Sequence, residues 1–282
     1  MQYIILDLEW NATYARKLSK VFSEIIELGA AKYNSDLDCV DTFSCIIRTQ
    51  IGHKLRGSIK SLTNLTNEDI LTGLPFTKAF ALFRKWIGKE ETAIITWGNC
   101  DIRVLLENFV FLNGVDTIPF LEHYLDLQRY YHLKEGVDFS QQIGLCTAAA
   151  QLGLNPESYI HHRALGDSLL TGDIFERIYD KELFEKELET CDERFYDKLL
   201  YKPKIIKNIA NPYIDKKRLL HFCEICKQQC VRKNMWTVHG QYFKANFHCP
   251  GCGANYEVKL RLRRMYDGIE YKKVVSVLDE KN

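Results

Sequence analysis

The chain has no long hydrophobic run. Its apolar stretches, such as residues 3–6 and 104–106, fall far short of the roughly 20 residues that span a bilayer. That excludes a membrane-crossing helix of the ordinary kind. There is no room for a signal-peptide core ahead of the first acid, Asp7, so a cytoplasmic protein is expected. Internal repeats and low-complexity tracts are missing as well, which excludes a solenoid or a disordered chain. What is present, 46% hydrophobic and 27% charged residues over 282 positions, suits a globular protein with one large core or two smaller ones.

The net charge of +1 hides an asymmetry. Residues 1–200 carry 21 Lys and Arg against 30 Asp and Glu, a net of −9, and residues 201–282 carry +10. Carboxylates meant for cations would make part of the body acidic, although solvated helix faces such as 181–198 account for most of the excess. A basic module attracts a polyanion.

Ten cysteines are many for an oxidised protein to leave unpatterned. Four of them form two Cys-x-x-Cys pairs, Cys223/Cys226 and Cys249/Cys252, with 22 residues between the pairs. Two such pairs at this spacing read as a tetrahedral four-thiolate zinc ribbon, holding one structural Zn²⁺. Cys249-Pro250-Gly251-Cys252-Gly253 has the residues of a tight turn, and Cys223-Glu224-Ile225-Cys226-Lys227 lacks the final glycine. Cys230, His221, His239 and His248 are alternative ligands that read better as bystanders. A redox role for the pairs would leave their matched spacing without a reason. Lys259, Arg261 and Arg263 alternate with Leu260 and Leu262, so three cations share one strand face. They make the ribbon a candidate grip for nucleic acid, with docking of a protein partner as the alternative.

Strand patterns over residues 2–9, 24–34 and 39–48 predict an antiparallel meander. Thr66 reads as a helix start, and Phe76, Ala79, Phe80, Phe83 and Ile87 have helical spacing. After residue 90, strands at 92–97 and 121–127 alternate with helices at 101–112, 140–152 and 165–178. That order predicts an α/β fold, a mixed sheet flanked by helices on both sides. A charged helix is expected over 181–200. Lys202-Pro203-Lys204 and Asn211-Pro212 break the pattern, so the expected organisation is a body at 1–200, a linker at 201–218 and a small β-rich ribbon domain at 219–282.

Two acidic motifs and one histidine motif carry the chemistry. Asp7 and Glu9 stand two apart at the end of a buried strand, so both leave the same face. Such a pair arises by chance on many strands, but the apolar run before it sets this one at the edge of a core, where a cation between the acids relieves their repulsion. Asp101 opens a helix after a strand. It is either a helix-start charge or a ligand, and Asp126 competes for the same slot; a strand-to-helix turn favours Asp101. His162 and Asp167, in His162-Arg163-Ala164-Leu165-Gly166-Asp167, can point at one pocket, with His161 a buried or capping neighbour and Asp173 a surface residue. Four carboxylates and one imidazole are what is needed to hold two divalent cations and activate a water against a phosphodiester. Trp10, next to Glu9, either stacks on a base, worth roughly 1–3 kcal/mol, or is a half-buried aromatic at the sheet edge.

Asp-x-Glu, a distant Asp, then His-x-Ala-x-x-Asp is the motif order of the DEDDh 3′–5′ exonucleases, the DnaQ-like branch of the ribonuclease H-like fold, which residues 1–180 resemble. Glu27-Leu28-Gly29-Ala30 also resembles the family's second strand, and the nearest subgroup is the bacterial relatives of small-RNA-trimming exonucleases. The resemblance implies a metal-dependent hydrolase that trims single-stranded RNA or DNA from a free 3′ end and releases nucleoside 5′-monophosphates. Asp7 would bridge two Mg²⁺ or Mn²⁺ ions, Glu9 and Asp101 would serve one and Asp167 the other, and His162 would be the general base. Free imidazole, which titrates near pH 6.5, suits that last role. One departure is Asn64, where relatives often carry glycine. A catalytically inactive nuclease fold that binds nucleic acid or protein is the rival expectation.

Overall fold

The computed structural model describes residues 1–139 and 141–278; Ser140, in the helix expected at 140–152, and residues 279–282, at the end of the expected ribbon domain, lie outside the described residues. The chain divides into two compact units, Met1–Leu199 and a second beginning at Leu200. Among the described residues no helix is long and apolar enough to cross a membrane.

The first unit is built on a seven-stranded mixed sheet. Its strands are β1 (Gln2–Ala15), β2 (Lys20–Tyr33), β3 (Cys39–Arg48), β4 (Leu74–Pro75), β5 (Thr92–Thr96), β6 (His123–Asp126) and β7 (Glu189–Thr190), in the order β4-β3-β2-β1-β5-β6-β7. The expected meander is there: β1, β2 and β3 pair antiparallel, and β5 and β6 add in parallel beside β1. The helices are α1 (Gly57–Thr63), α2 (Asn67–Thr72), α3 (Phe76–Ile87), α4 (Cys100–Asn108), α5 (Leu127–Glu135), α6 (Leu145–Gln151), α7 (Ala164–Ile178), α8 (Lys181–Glu187) and α9 (Glu193–Leu200).

Alternation along β1 builds two cores, one on each face of the sheet. Ile4, Leu6 and Leu8 pack against α3 and α4 through Phe80, Phe83, Ile102 and Leu105. Tyr3 and Ile5 point the other way, against Leu170, Ile174 and Phe175 of α7 and Tyr130 of α5. Each fully buried aliphatic side chain contributes about 1.5–3 kcal/mol. Asp7 and Glu9 continue the Tyr3 and Ile5 series, so the same period that fills the α7-side core delivers two carboxylates to its end.

Two expectations change. The charged helix at 181–200 is two helices, separated by β7, which pairs antiparallel with β6 while the Cys191 N–H donates to the Glu122 carbonyl. Asp180 and Asp192 each cap a helix start, at Leu183 and Phe195. Local charge periodicity carried the helix through a stretch that tertiary pairing claims for the sheet edge. The helix expected over 140–152 starts only after Gly144.

The second unit holds β8 (Lys204–Ile205), β9 (Val231–Arg232), β10 (Thr237–His239), β11 (Tyr242–His248), β12 (Asn255–Met265) and β13 (Gly268–Leu278). In β12, Tyr256, Val258, Leu260 and Leu262 are buried and the intervening residues face outward. The stretch read as a linker belongs to this unit: β8 pairs with β12, and Ile206, Ile209, Ile214 and Leu219 pack against Phe243, Leu260 and Leu262. Pro203 and Pro212 suggested a linker, but the isoleucines between them cover one end of a small sheet that needs the extra apolar area.

Candidate functional site

Three chain segments converge midway along β1, at Asp7 and Glu9. Asp7 pairs in register with Gly29 of β2, and a Cβ on Gly29 would lie 2.1 Å from the Ala164 carbonyl carbon. Only glycine lets the first turn of α7 come this close, and that turn carries Asp167. The pairing of β1 with β2 slips between Glu9 and Trp10, a bulge at the site itself. Alongside, β5 runs parallel to β1 and pairs with it only as far as Ile5, so the start of α4 meets β1 just beyond, and the Leu8 N–H donates to Asp101 Oδ1 at 3.1 Å.

The sequence-selected acids are thereby brought together. One oxygen each of Glu9 and Asp167 and a ring nitrogen of His162 lie within 4.8 Å of one another. Burial pushes the Asp7 carboxyl well above the usual carboxylate range, and the charges of Asp101, Asp167, Glu9 and Glu27 push it further. Glu9 is raised to about 7 by burial and by Asp167, Glu27 and Asp101, with Arg163 opposing. Asp101, 5% exposed, is raised to about 7, chiefly by burial and against the stabilising Leu8 N–H. Burial also raises Asp167, while hydrogen bonds from the His161 side chain and the His162 backbone hold it down. Asp126 stands apart, capping α5 through the Arg129 N–H at 2.9 Å.

His162 is exposed and adopts a left-handed backbone, φ 57°, that turns the chain into α7. Its N–H donates to Asp167 Oδ2 at 3.0 Å. His161 Nδ1 lies 3.6 Å from Asp167 Oδ1 and 3.7 Å from Cys146 Sγ, a position the sequence did not reveal. Also missed was a fifth carboxylate: Glu27, 1% exposed, opposes Glu9 across β1 and β2 and is gripped by Arg163 through three hydrogen bonds of 2.8–3.1 Å. Its place on β2, two residues before the glycine that admits α7, is the signal that would have found it. Asp173, expected on the surface, is half-buried and accepts a hydrogen bond from the Tyr159 hydroxyl. Trp10 is half-buried against the core on the α3 side.

In the second unit the four cysteine sulfurs lie within 4.8 Å of one another, with Cys223 to Cys252 at 3.4 Å and Cys226 to Cys249 at 3.3 Å. Tetrahedral zinc with Zn–S bonds of about 2.3 Å sets its sulfurs about 3.8 Å apart, so the donor set fits that ion. Tyr256 Oη contacts Cys223 Sγ at 3.1 Å. All ten cysteines are free thiols. On the outer face of β12, Lys259 lies 3.3 Å from Glu257, and Arg263 is held by Glu270 through two hydrogen bonds. Arg261 sits over the Tyr242 ring at 5.8 Å with its Nε unpartnered.

No protein-family model matches the chain. It is 31% identical over 185 residues, 65% of this chain and 87% of the relative, to a protein of Bacillus subtilis (strain 168) named probable 3′-5′ exonuclease KapD. Among solved structures it is similar to the nuclease domain of 3′hExo, described as a DEDDh family member bound to rAMP, with TM-score 0.55, 23% identity, and 62% of this chain and 90% of that one covered. A second, a 3′-exonuclease described in 3′-end-specific recognition of histone mRNA stem-loop, gives TM-score 0.54 at 23% identity and covers 67% of this chain and 84% of that one.

Proposed function

Because the chain belongs to the DEDDh family of 3′–5′ exonucleases, with a ribonuclease H-like mixed sheet, we propose that it trims single-stranded RNA or DNA from a free 3′ end with two divalent cations and releases nucleoside 5′-monophosphates. The observation that carries this reading is the convergence of Asp7, Glu9, Asp101 and Asp167, whose carboxyls are all pushed upward by burial, with repulsion from neighbouring acids adding to it at Asp7, Glu9 and Asp101. Such a pocket is short of positive charge. The nearby Arg163 is taken by Glu27. Oxygen donors of this kind suit Mg²⁺ or Mn²⁺. Asp7 would bridge the pair, Glu9 and Asp101 would serve one ion, and Asp167 the other. When bound, the ions supply stabilisation for charge on the entering and leaving oxygens.

The protein's own groups do the rest. His162, exposed at the mouth of the pocket, takes the proton of the attacking water on a ring nitrogen. The Asp167 carboxylate accepts the His162 N–H and holds the left-handed turn that presents the ring. Trp10 packs against the α3-side core, and the part of its ring left exposed would meet the terminal base. In the second unit, Cys223, Cys226, Cys249 and Cys252 would hold one structural zinc, and the Lys259, Arg261 and Arg263 face would hold nucleic acid. Arg261 has the larger part there, since Glu257 and Glu270 neutralise its neighbours. Unbridged thiols suit a reducing compartment such as the cytoplasm.

The test is digestion of 5′-labelled RNA and DNA oligonucleotides, with free or blocked 3′ ends, in magnesium or manganese. The wild type should shorten the free-ended strands in single-nucleotide steps. Asp7→Ala and His162→Ala should slow this by on the order of 10²–10⁴. Equal degradation by wild type and both variants would refute the assignment.

A further inference from the structure

Resting on the nuclease reading, we propose a second contact for the substrate strand on the first unit: the loop 50–56 and the start of α1, gripping phosphates beside the active site through Lys54, Arg56 and Lys60. The motivating fact is how firmly this loop is held. Glu24, 2% exposed, accepts the backbone N–H groups of Gln50, Ile51 and Gly52. Asn11, 1% exposed, donates to the Lys54 carbonyl and accepts the Arg56 N–H, both at 3.1 Å. Asn67 accepts the Leu55 N–H at 3.0 Å, and Leu55 is buried against Ile26, Leu65 and Ile70. Gly52 is seated so closely that a Cβ would lie 2.7 Å from Thr13 Oγ1.

A surface connection needs none of this, since loop backbone is ordinarily solvated. Here buried carboxylate and amide groups fix the backbone while the charged side chains remain outside. His53, Lys54 and Arg56 are exposed. The Lys60 N–H donates to the Arg56 carbonyl, which sets the two side chains one helical turn apart on the same face. Among the described residues Lys54, Arg56 and Lys60 enter no ion pair, and the charge of Glu24 is spent on backbone amides. Residues 1–200 carry a net −9, so these three cations stand on an otherwise acidic part of the chain.

The position relates the cluster to the chemistry. Asn11 is two residues beyond Glu9 on β1, about 7 Å at the rise of a strand. That is the length of about two stacked nucleotides. A strand whose 3′-terminal phosphodiester lies at Glu9 therefore brings its next phosphates to the loop. The contact is to phosphate, so it positions the strand without reading its bases.

The experiment uses the full chain. Binding of a fluorescent single-stranded 12-mer is measured by anisotropy over a salt series for wild type, for the triple variant Lys54→Ala/Arg56→Ala/Lys60→Ala, and for a control, Lys78→Ala/Lys85→Ala/Lys89→Ala, which removes the same charge from around α3. Turnover of a p-nitrophenyl ester of a nucleoside 5′-monophosphate is followed in parallel, because that small substrate needs only the catalytic pocket. The loop variant should bind the 12-mer roughly tenfold or more weakly, with a log–log salt slope shallower by about 2. Its ester turnover should match wild type, and the control should bind within about twofold of wild type. Wild-type affinity and slope in the loop variant, or equal weakening in the control, would overturn the proposal. If wild type hydrolyses neither ester nor oligonucleotide, the nuclease reading fails, and the anisotropy comparison still decides whether the loop holds the strand.

Discussion

Among the five side chains on left-handed backbone, which glycine adopts most cheaply, three stand at informative turns: Asn64 at the end of α1 with φ 57°, His162 with φ 57°, and Lys227 with φ 60°, the other two being Ser19 and Leu37. They differ in what the strain accomplishes. Asparagine tolerates this region, so Asn64 makes the turn at small cost. His162 turns the chain so that its ring meets Glu9 and Asp167. Lys227 follows the first cysteine pair as Gly253, φ 77°, follows the second, and its N–H donates to the Cys223 carbonyl in the same fashion as Gly253 to Cys249. The Cys-Glu-Ile-Cys-Lys motif looked incomplete in the sequence, yet the backbone makes the turn without glycine. Lys227→Gly should therefore stabilise the second unit by about 1 kcal/mol, a rise in Tm of roughly 4–8 °C by calorimetry. A lower Tm would mean the lysine side chain contributes more than its backbone costs. Cysteine spacing made the ribbon legible, whereas the bond between Arg163 and Glu27 was not, because it joins residues 136 apart whose meeting depends on the packed sheet.

Among the elements, the approach of α7 to β2 decides whether the site exists. Gly29 faces the Ala164 and Leu165 backbone, and Gly166 faces the Ile160 carbonyl at 2.1 Å from its would-be Cβ. Gly29→Ala should push the first turn of α7 outward, destabilise the first unit by about 3 kcal/mol or more, and carry Asp167 away from Glu9. Denaturant unfolding checks the first effect. Loss of magnesium-dependent stabilisation in whatever remains folded checks the second. A variant with wild-type stability would show that the contact yields without strain. Helices with a clear apolar stripe, such as α3, were legible from period alone, and so were the three strands of the meander. The short α8, β7 and α9 were not: β7 is only Glu189–Thr190, and it pairs with β6 through Tyr124 and His123, far earlier in the chain and beyond the reach of any local pattern.

For the molecule as a whole, the acidic pocket links fold stability to pH and cations. A carboxyl with a higher pKa in the folded chain than in the unfolded one disfavours folding once ionised. Asp7, Glu9 and Asp101 are of this kind, the last two at about 7 against about 4 when unfolded. The penalty is absent below about pH 4, grows as pH rises through the window from about 4 to 7, and is complete above it. Without added magnesium or manganese, the melting temperature of the first unit should fall between pH 5 and pH 8, and either ion should raise it more at pH 8 than at pH 5. A metal-independent rise over that range would contradict this. The division of charge into an acidic first part and a basic second was legible from composition, but the place of the second unit's start was not, since Ile206 and Ile209 declare themselves only once a sheet is there to receive them. The two-residue period of β1 has a last consequence. Tyr3 and Ile5 face one core, Ile4 and Leu6 the other, and Asp7 inherits its side from them. A single-residue insertion ahead of Asp7 would either exchange the two cores or turn the carboxylates away from α7, so over evolution this segment is free to lengthen or shorten only in pairs.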